Sequence, residues 1–102
     1  LYNEENNVKI GTAYLHILFY NYLKKIKNKE SRLYCTISAY NTGAGNVAKA
    51  FIGTKNINKA STYINNISSE EVYKKLIKNL PYDETRKYLK KVYKRINMYG
   101  SI

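Results

Sequence analysis

Apolar residues recur along this chain at helical rather than strand spacing. Ile10, Ala13, Tyr14, Ile17 and Leu18 fall at i, i+3, i+4, i+7 and i+8, the stripe of an amphipathic helix. The stripe predicts a helix from about Asn7 to Lys25, ending in Lys24-Lys25-Ile26-Lys27, where cations complement the negative helix end. A second helix is expected from near Glu30, turning Leu33, Tyr34, Ile37 and Ser38 inward. It should stop at Thr42-Gly43-Ala44-Gly45, where two glycines permit the positive φ of a tight reversal. A short helix from Asn46 to Phe51 follows, broken by Gly53, and Ile57, Ala60 and Ile64 mark one more. Ser68-Ser69-Glu70-Glu71 reads as a capping box opening a helix with Val72, Leu76, Ile77 and Leu80 on its face. Pro81 ends that helix and Asp83 can cap the next, whose face is Leu89, Val92, Tyr93, Ile96 and Tyr99, closed by Gly100.

No alternating run competes with this pattern, so the expected class is all-α, with five or six helices in one structural unit. A chain of 102 residues has room for a single modest core. No apolar run approaches the roughly 20 residues that span a bilayer. One cysteine, Cys35, and one histidine, His16, allow no internal disulfide and no zinc set. Cys35 reads as a small core residue and His16 as a packed or half-exposed one. The chain opens at Leu1 with neither Met nor a signal-like stretch, the start expected of a fragment.

Eighteen Lys and Arg against seven Asp and Glu give a formal charge of +11, which draws the protein toward polyanions. Lys, Asn, Tyr and Ile make up half of the chain, and all four are spelled by A/T-rich codons, so base composition accounts for part of the excess. Lys outnumbers Arg 15 to 3, whereas phosphate and base-edge recognition draws on the bidentate guanidinium. A basic nucleic-acid-binding module is therefore carried only as the alternative reading.

With seven carboxylates, every candidate acid can be inspected. Glu4 and Glu5 precede the first helix; Glu30, Glu70, Glu71, Asp83 and Glu84 stand at helix starts, where the dipole and free amides stabilise them. None sits in the apolar setting that a general acid needs near neutral pH. The segment Ile37 to Val47 differs, because a phenol and a carboxamide, Tyr40 and Asn41, meet a glycine turn. A ring face with a hydroxyl, beside a group that both donates and accepts, suits a carbohydrate groove. On spacing alone, Tyr40 reads equally as a core aromatic and Asn41 as a helix C-terminal cap.

Ala39-Tyr40-Asn41-Thr42-Gly43-Ala44-Gly45-Asn46-Val47 resembles the AYNxGxGxV motif of lytic transglycosylases of the soluble-lytic-transglycosylase type, relatives of goose-type lysozymes. Asn7 to Leu15 resembles their N-I-x-x-G-x-x-Y-L helix, and Leu80 to Leu89 their LPYxETRxYV segment. The three motifs occur in the family's order and cover nearly the whole chain.

The resemblance implies a partial lysozyme-like domain that acts on peptidoglycan glycan strands without metal or cofactor. Such enzymes cleave the β-1,4 bond between N-acetylmuramic acid and N-acetylglucosamine and leave a 1,6-anhydro product. One glutamic acid protonates the leaving oxygen, unlike the two-carboxylate scheme of most glycosidases. By position, Tyr40 matches the tyrosine that bonds and orients that glutamate, Asn41 a substrate-contacting asparagine, and Tyr88 a tyrosine lining the same site. The family's glutamate lies in a Glu-Ser motif, followed by G-L-M-Q, well ahead of the N-I-x-x-G helix; neither motif is expected in this chain, which is read as beginning at or after both. Residues 1–102 are thus expected to be the C-terminal part of the catalytic domain, with the groove wall and without the acid. The implied location is the periplasm at the outer membrane, with any membrane anchor outside this chain. Apolar surface left uncovered by the absent helices is expected to favour self-association.

Overall fold

The structure, a computed structural model, describes the backbone of residues 13–100 and the side chains of residues 13–97. The described residues form six helices and no strand, in line with the expected all-α class. Helix α1, residues 13–22, is α-helical to Ile17 and π-helical over Leu18–Tyr22. It is followed by α2 (Lys29–Thr42), α3 (Ala44–Ile52), α4 (Ile57–Ile64), α5 (Ser69–Asn79) and α6 (Asp83–Gly100).

Side-chain caps set most of the starts. The Ser31 amide donates to Asn28 Oδ1 at 2.9 Å, opening α2, and the amides of Asn58 and Lys59 both donate to Asn56 Oδ1 at 3.1 Å, opening α4. The Glu71 amide donates to Ser68 Oγ at 3.1 Å, the half of the capping box that runs from backbone to serine. Leu80, at φ −66 and ψ 140, has the extended backbone that Pro81 imposes on the residue before it.

Four expectations need correction. The first helix ends at Tyr22 rather than Lys25. Its last turn is widened, with the Leu23 amide donating to Leu18 O at 2.8 Å, and Leu23 and Ile26 are drawn into the core. Its stripe is mostly not buried: Leu18 is in the core, whereas Ala13, Tyr14 and Ile17 are exposed. Periodicity marks an apolar face without showing that anything covers it, and the widened turn passes the core positions to Leu18, Leu23 and Ile26. Of the two motif glycines only Gly43 has a positive φ, 87°, because Gly45 is already inside α3. Asp83 is the first residue of α6 rather than its cap, and its carboxylate meets Arg86 and Lys87 instead. Asn7, Ile10, Glu4, Glu5 and the Tyr99 side chain lie outside the described residues.

Helix α2 is the centre of the fold, touched by α1, α3, α5 and α6, while α4 packs on α3. Tyr34 on α2 is buried against Tyr73 of α5 and Tyr93 of α6, which stack on each other at 3.7 Å and 9°. Cys35 is in the core as expected, and burial pushes its thiol pKa up. Two buried hydroxyls on α2 bond back along the helix, Thr36 Oγ1 to Arg32 O at 2.7 Å and Ser38 Oγ to Tyr34 O at 2.8 Å, and so need no partner across the core, whereas the buried Ser31 Oγ has no hydrogen-bond partner among the described residues. The α1–α2 loop is held by one amide: Asn65 Oδ1 accepts from the Lys27 amide at 2.9 Å and Nδ2 donates to Lys25 O at 2.8 Å. Arg32 Nε donates to Ile26 O at 2.7 Å and its guanidinium lies over the Phe19 ring at 4.9 Å.

Candidate functional site

Tyr40 lies in the last turn of α2 and is 42% exposed, so it is not the core aromatic that spacing alone allowed. Its ring meets that of Tyr14 on α1 at 5.8 Å between centroids and 44° between planes, and Tyr14 is 41% exposed. The two rings present aromatic surface and hydroxyls to solvent together. The sequence pattern puts Tyr14 only on the apolar stripe of the first helix; the signal for a site role is its place as the tyrosine of the N-I-x-x-G-x-x-Y-L segment.

Asn41 is exposed and donates from Nδ2 to Ile37 O at 3.0 Å. That bond orients the amide and leaves Oδ1 and the second N–H free for a ligand. Thr42 Oγ1 donates to Ser38 O at 2.9 Å and Asn46 Nδ2 to Thr42 O at 2.8 Å, carrying the same back-bonding across the glycine turn. Gly43, at φ 87 and ψ 149, occupies backbone space almost reserved for glycine and sets α3 at its angle to α2. The sequence thus brings Tyr40, Asn41 and Asn46 to the junction of two helices, with Tyr14 added from a third.

Tyr88 stands on α6, 56% exposed, and no ring contact joins it to Tyr40 or Tyr14. Helix α6 packs on α2 and α5, with Leu89 and Thr85 buried. From Arg86 to Arg95 it carries six cations and no carboxylate. Asp83 pairs with Arg86 and Lys87, both at 3.2 Å, and hydrogen bonds from these two hold its carboxyl below the usual range. Lys90, Lys91, Lys94 and Arg95 have no carboxylate within ion-pair distance among the described residues.

The described carboxylates are all exposed at helix starts. Glu70 faces Lys74 at 3.8 Å, and Glu30 Oε2 accepts from Ser69 Oγ at 3.1 Å. The expectation that the chain holds no Glu-Ser needs correction: Glu30-Ser31 is one, but it lies in the first turn of α2, ten residues and about 15 Å along the axis from Tyr40. It is therefore not the acid of the Tyr40 site. His16 is exposed with its ring 4.5 Å from that of Tyr20. No group of three His, Cys, Asp or Glu that could hold a metal occurs among the described residues, and none of their helices is long and apolar enough to cross a membrane.

A cleft of about 470 Å³ lies between the end of α3 and the end of α5, lined by Asn46, Lys49, Phe51, Asn79 and Pro81 among others. Asn79 Nδ2 donates to Ala50 O at 2.9 Å and ties its two walls. Of the residues in the AYNxGxGxV segment, Asn46 reaches it; Tyr40, Asn41 and Tyr88 do not line it.

Comparison with known proteins adds to this geometry. The transglycosylase SLT domain family model matches residues 1–64, which include Tyr14, Tyr40 and Asn41 but not Tyr88. Membrane-bound lytic murein transglycosylase C of Photorhabdus laumondii is 46% identical over 92 residues, covering 90% of this chain and 25% of that protein. The proteins of the same name from Yersinia pestis and Yersinia pseudotuberculosis give the same identity and coverage. The chain spans about a quarter of the length of the curated relatives it matches. A nucleic-acid-binding module finds no support in these relatives.

Proposed function

Since the chain belongs to the transglycosylase SLT domain family, we propose that it supplies the C-terminal part of the catalytic domain of a peptidoglycan lytic transglycosylase. The parent protein cleaves the β-1,4 bond between N-acetylmuramic acid and N-acetylglucosamine and forms the 1,6-anhydromuramoyl product. The observation that carries this reading is the exposed Tyr40–Asn41 pair at the Gly43 turn, inside the residues that match the family. Tyr40 positions the catalytic glutamic acid, while Asn41 and Tyr88 contact the glycan strand. The acid belongs to a Glu-Ser motif encoded ahead of Leu1. Because the relatives are named membrane-bound, the parent acts in the cell envelope, and we place it in the periplasm at the outer membrane through an anchor outside this chain. Exposed Ile17, Tyr20 and Tyr22 on α1 support a second element of the reading, self-association of the isolated chain. A sedimentation coefficient independent of concentration would contradict that element.

The test of the main reading is product chemistry. The full-length protein, incubated with murein sacculi, is expected to release 1,6-anhydromuropeptides, and Asn41→Ala is expected to slow release. Reducing-end muropeptides instead of anhydro ones would mean hydrolysis. No release, together with no Glu-Ser motif ahead of Leu1, would leave a wall-binding module without catalysis.

A further inference from the structure

We infer that the outward flank of α6 formed by Tyr88, Lys91 and Arg95 holds the anionic peptide stems of peptidoglycan beside the glycan strand. The inference rests on the reading above, in which Tyr88 contacts the strand, and adds what lies next to that contact. Positions 88, 91 and 95 are spaced i, i+3 and i+7, so they share one side of the helix. The core face, where Thr85 and Leu89 are buried and Val92 and Ile96 partly so, lies about 100° around the helix, so the three positions form an exposed flank beside it. Lys91 and Arg95 therefore stand about 4.5 and 10 Å along the axis from Tyr88, on the same exposed side.

Neither cation has a carboxylate partner among the described residues, whereas Arg86 and Lys87, one turn earlier, share Asp83. A helix dipole rewards cations only in the last turn, and Lys91 lies more than two turns before Gly100. Helix stability therefore leaves the charge at Lys91 unexplained. The amino-sugar backbone of a glycan strand carries no charge that would attract an ammonium or a guanidinium. The charge of peptidoglycan is on the carboxylates of the stems attached to its muramoyl residues. An aromatic ring for the sugar, followed by a lysine and an arginine, matches that arrangement, and the guanidinium can accept a carboxylate in bidentate geometry.

Binding of the 102-residue chain is measured with two soluble glycan-strand probes, one carrying tetrapeptide stems and one stripped of them by an amidase, with the lactyl carboxylates so freed capped as neutral methylamides. The stem-bearing probe is expected to bind about five- to tenfold tighter at low salt, the size that two solvent-exposed charge contacts supply. The preference should shrink as salt is added. Lys91→Gln/Arg95→Gln should abolish it and leave affinity for the stripped probe unchanged. Lys24→Gln/Lys59→Gln, which removes the same charge from other exposed positions, should leave it intact. Equal affinity for the two probes, a preference that survives Lys91→Gln/Arg95→Gln, or an equal loss in Lys24→Gln/Lys59→Gln would overturn the inference while the groove reading stands. Failure to bind either probe would overturn the groove reading and this inference with it.

Discussion

The rings of Tyr14 and Tyr40 meet at 5.8 Å and 44°, joining α1 to the last turn of α2 while both remain about two fifths exposed. A tilted aromatic pair at this distance is worth about 0.5–1 kcal/mol beyond the area it buries. Because neither ring is in the core, Tyr14→Ala and Tyr40→Ala should each lower the melting temperature only slightly. A double-mutant cycle should return a coupling of about 0.5–1 kcal/mol. Affinity for stripped glycan strands should fall in both single variants. Loss of binding in Tyr40→Ala alone would remove Tyr14 from the site.

The glycines of the AYNxGxGxV segment should separate by their backbone rather than by space. At Gly43 nothing lies within 4 Å of an added Cβ, yet φ is +87°. Gly43→Ala should therefore cost about 1–3 kcal/mol from backbone strain alone. Gly45 is helical, and its Cβ would touch the Lys55 side chain at 3.4 Å, a flexible neighbour that can shift. Gly45→Ala should be neutral, or stabilising by up to about 1 kcal/mol, since alanine is the better helix former. Urea denaturation of both variants checks the pair. Equal costs would mean that Gly45 has a requirement the backbone does not reveal.

How far the sequence could be read depended on whether a feature was local. Caps, the Pro81 break and the Ser68 to Glu71 hydrogen bond are local, and their residues announced them. The same holds for the buried faces of α5 and α6, where period and burial agree at Val72, Leu76 and Leu89. Helix α1 could not be read this way. Its stripe looked like a core face, but what covers a face is a tertiary matter, and the widened turn over Leu18–Tyr22 has no composition signature. Residue types and a resemblance pointed to Tyr40 and Asn41, whereas Tyr14 became visible only when the two helices were packed. The Asn65 clamp on Lys25 and Lys27 links residues about forty apart, and nothing local marks it.

Tyr34 gives the fold an alkaline weakness. Burial first, with Glu30 and the neighbouring phenols of Tyr93 and Tyr73 adding to it, pushes its pKa from 10.0 to about 12. The unfolded chain loses this proton near 10 while the folded chain holds it to about 12. Stability from the neutral phenol is thus complete below pH 10 and is lost as pH rises from 10 to about 12. Tyr34→Phe has no such proton to lose. Its melting temperature should gain on that of the unsubstituted protein across this window and keep a constant offset below it. A constant offset through pH 12 would show that the buried phenol does not titrate late.

By itself the 102-residue chain should not release anhydromuropeptides from sacculi. Protonating a glycosidic oxygen near neutral pH takes a carboxyl held against that oxygen with its proton retained, a contribution of roughly 10²–10⁴-fold. Retention requires an apolar surrounding, which raises the pKa. Glu30, Glu70, Glu71, Asp83 and Glu84 are all exposed at helix starts, and Asp83 is shifted the other way by Lys87 and Arg86. Glu30 is additionally occupied by Ser69, at the opposite end of α2 from Tyr40. Binding does not share this requirement, because ring stacking and amide contacts from Tyr14, Tyr40 and Asn41 need no acid. The chain should therefore retain weak affinity for glycan strands while showing no turnover. Incubation with sacculi, followed by chromatography of the soluble products, separates the two. Turnover that persists in the purified chain and is abolished by Glu4→Gln or Glu5→Gln would place the catalytic acid at the start of this sequence, and Tyr40 would then have to orient that residue instead.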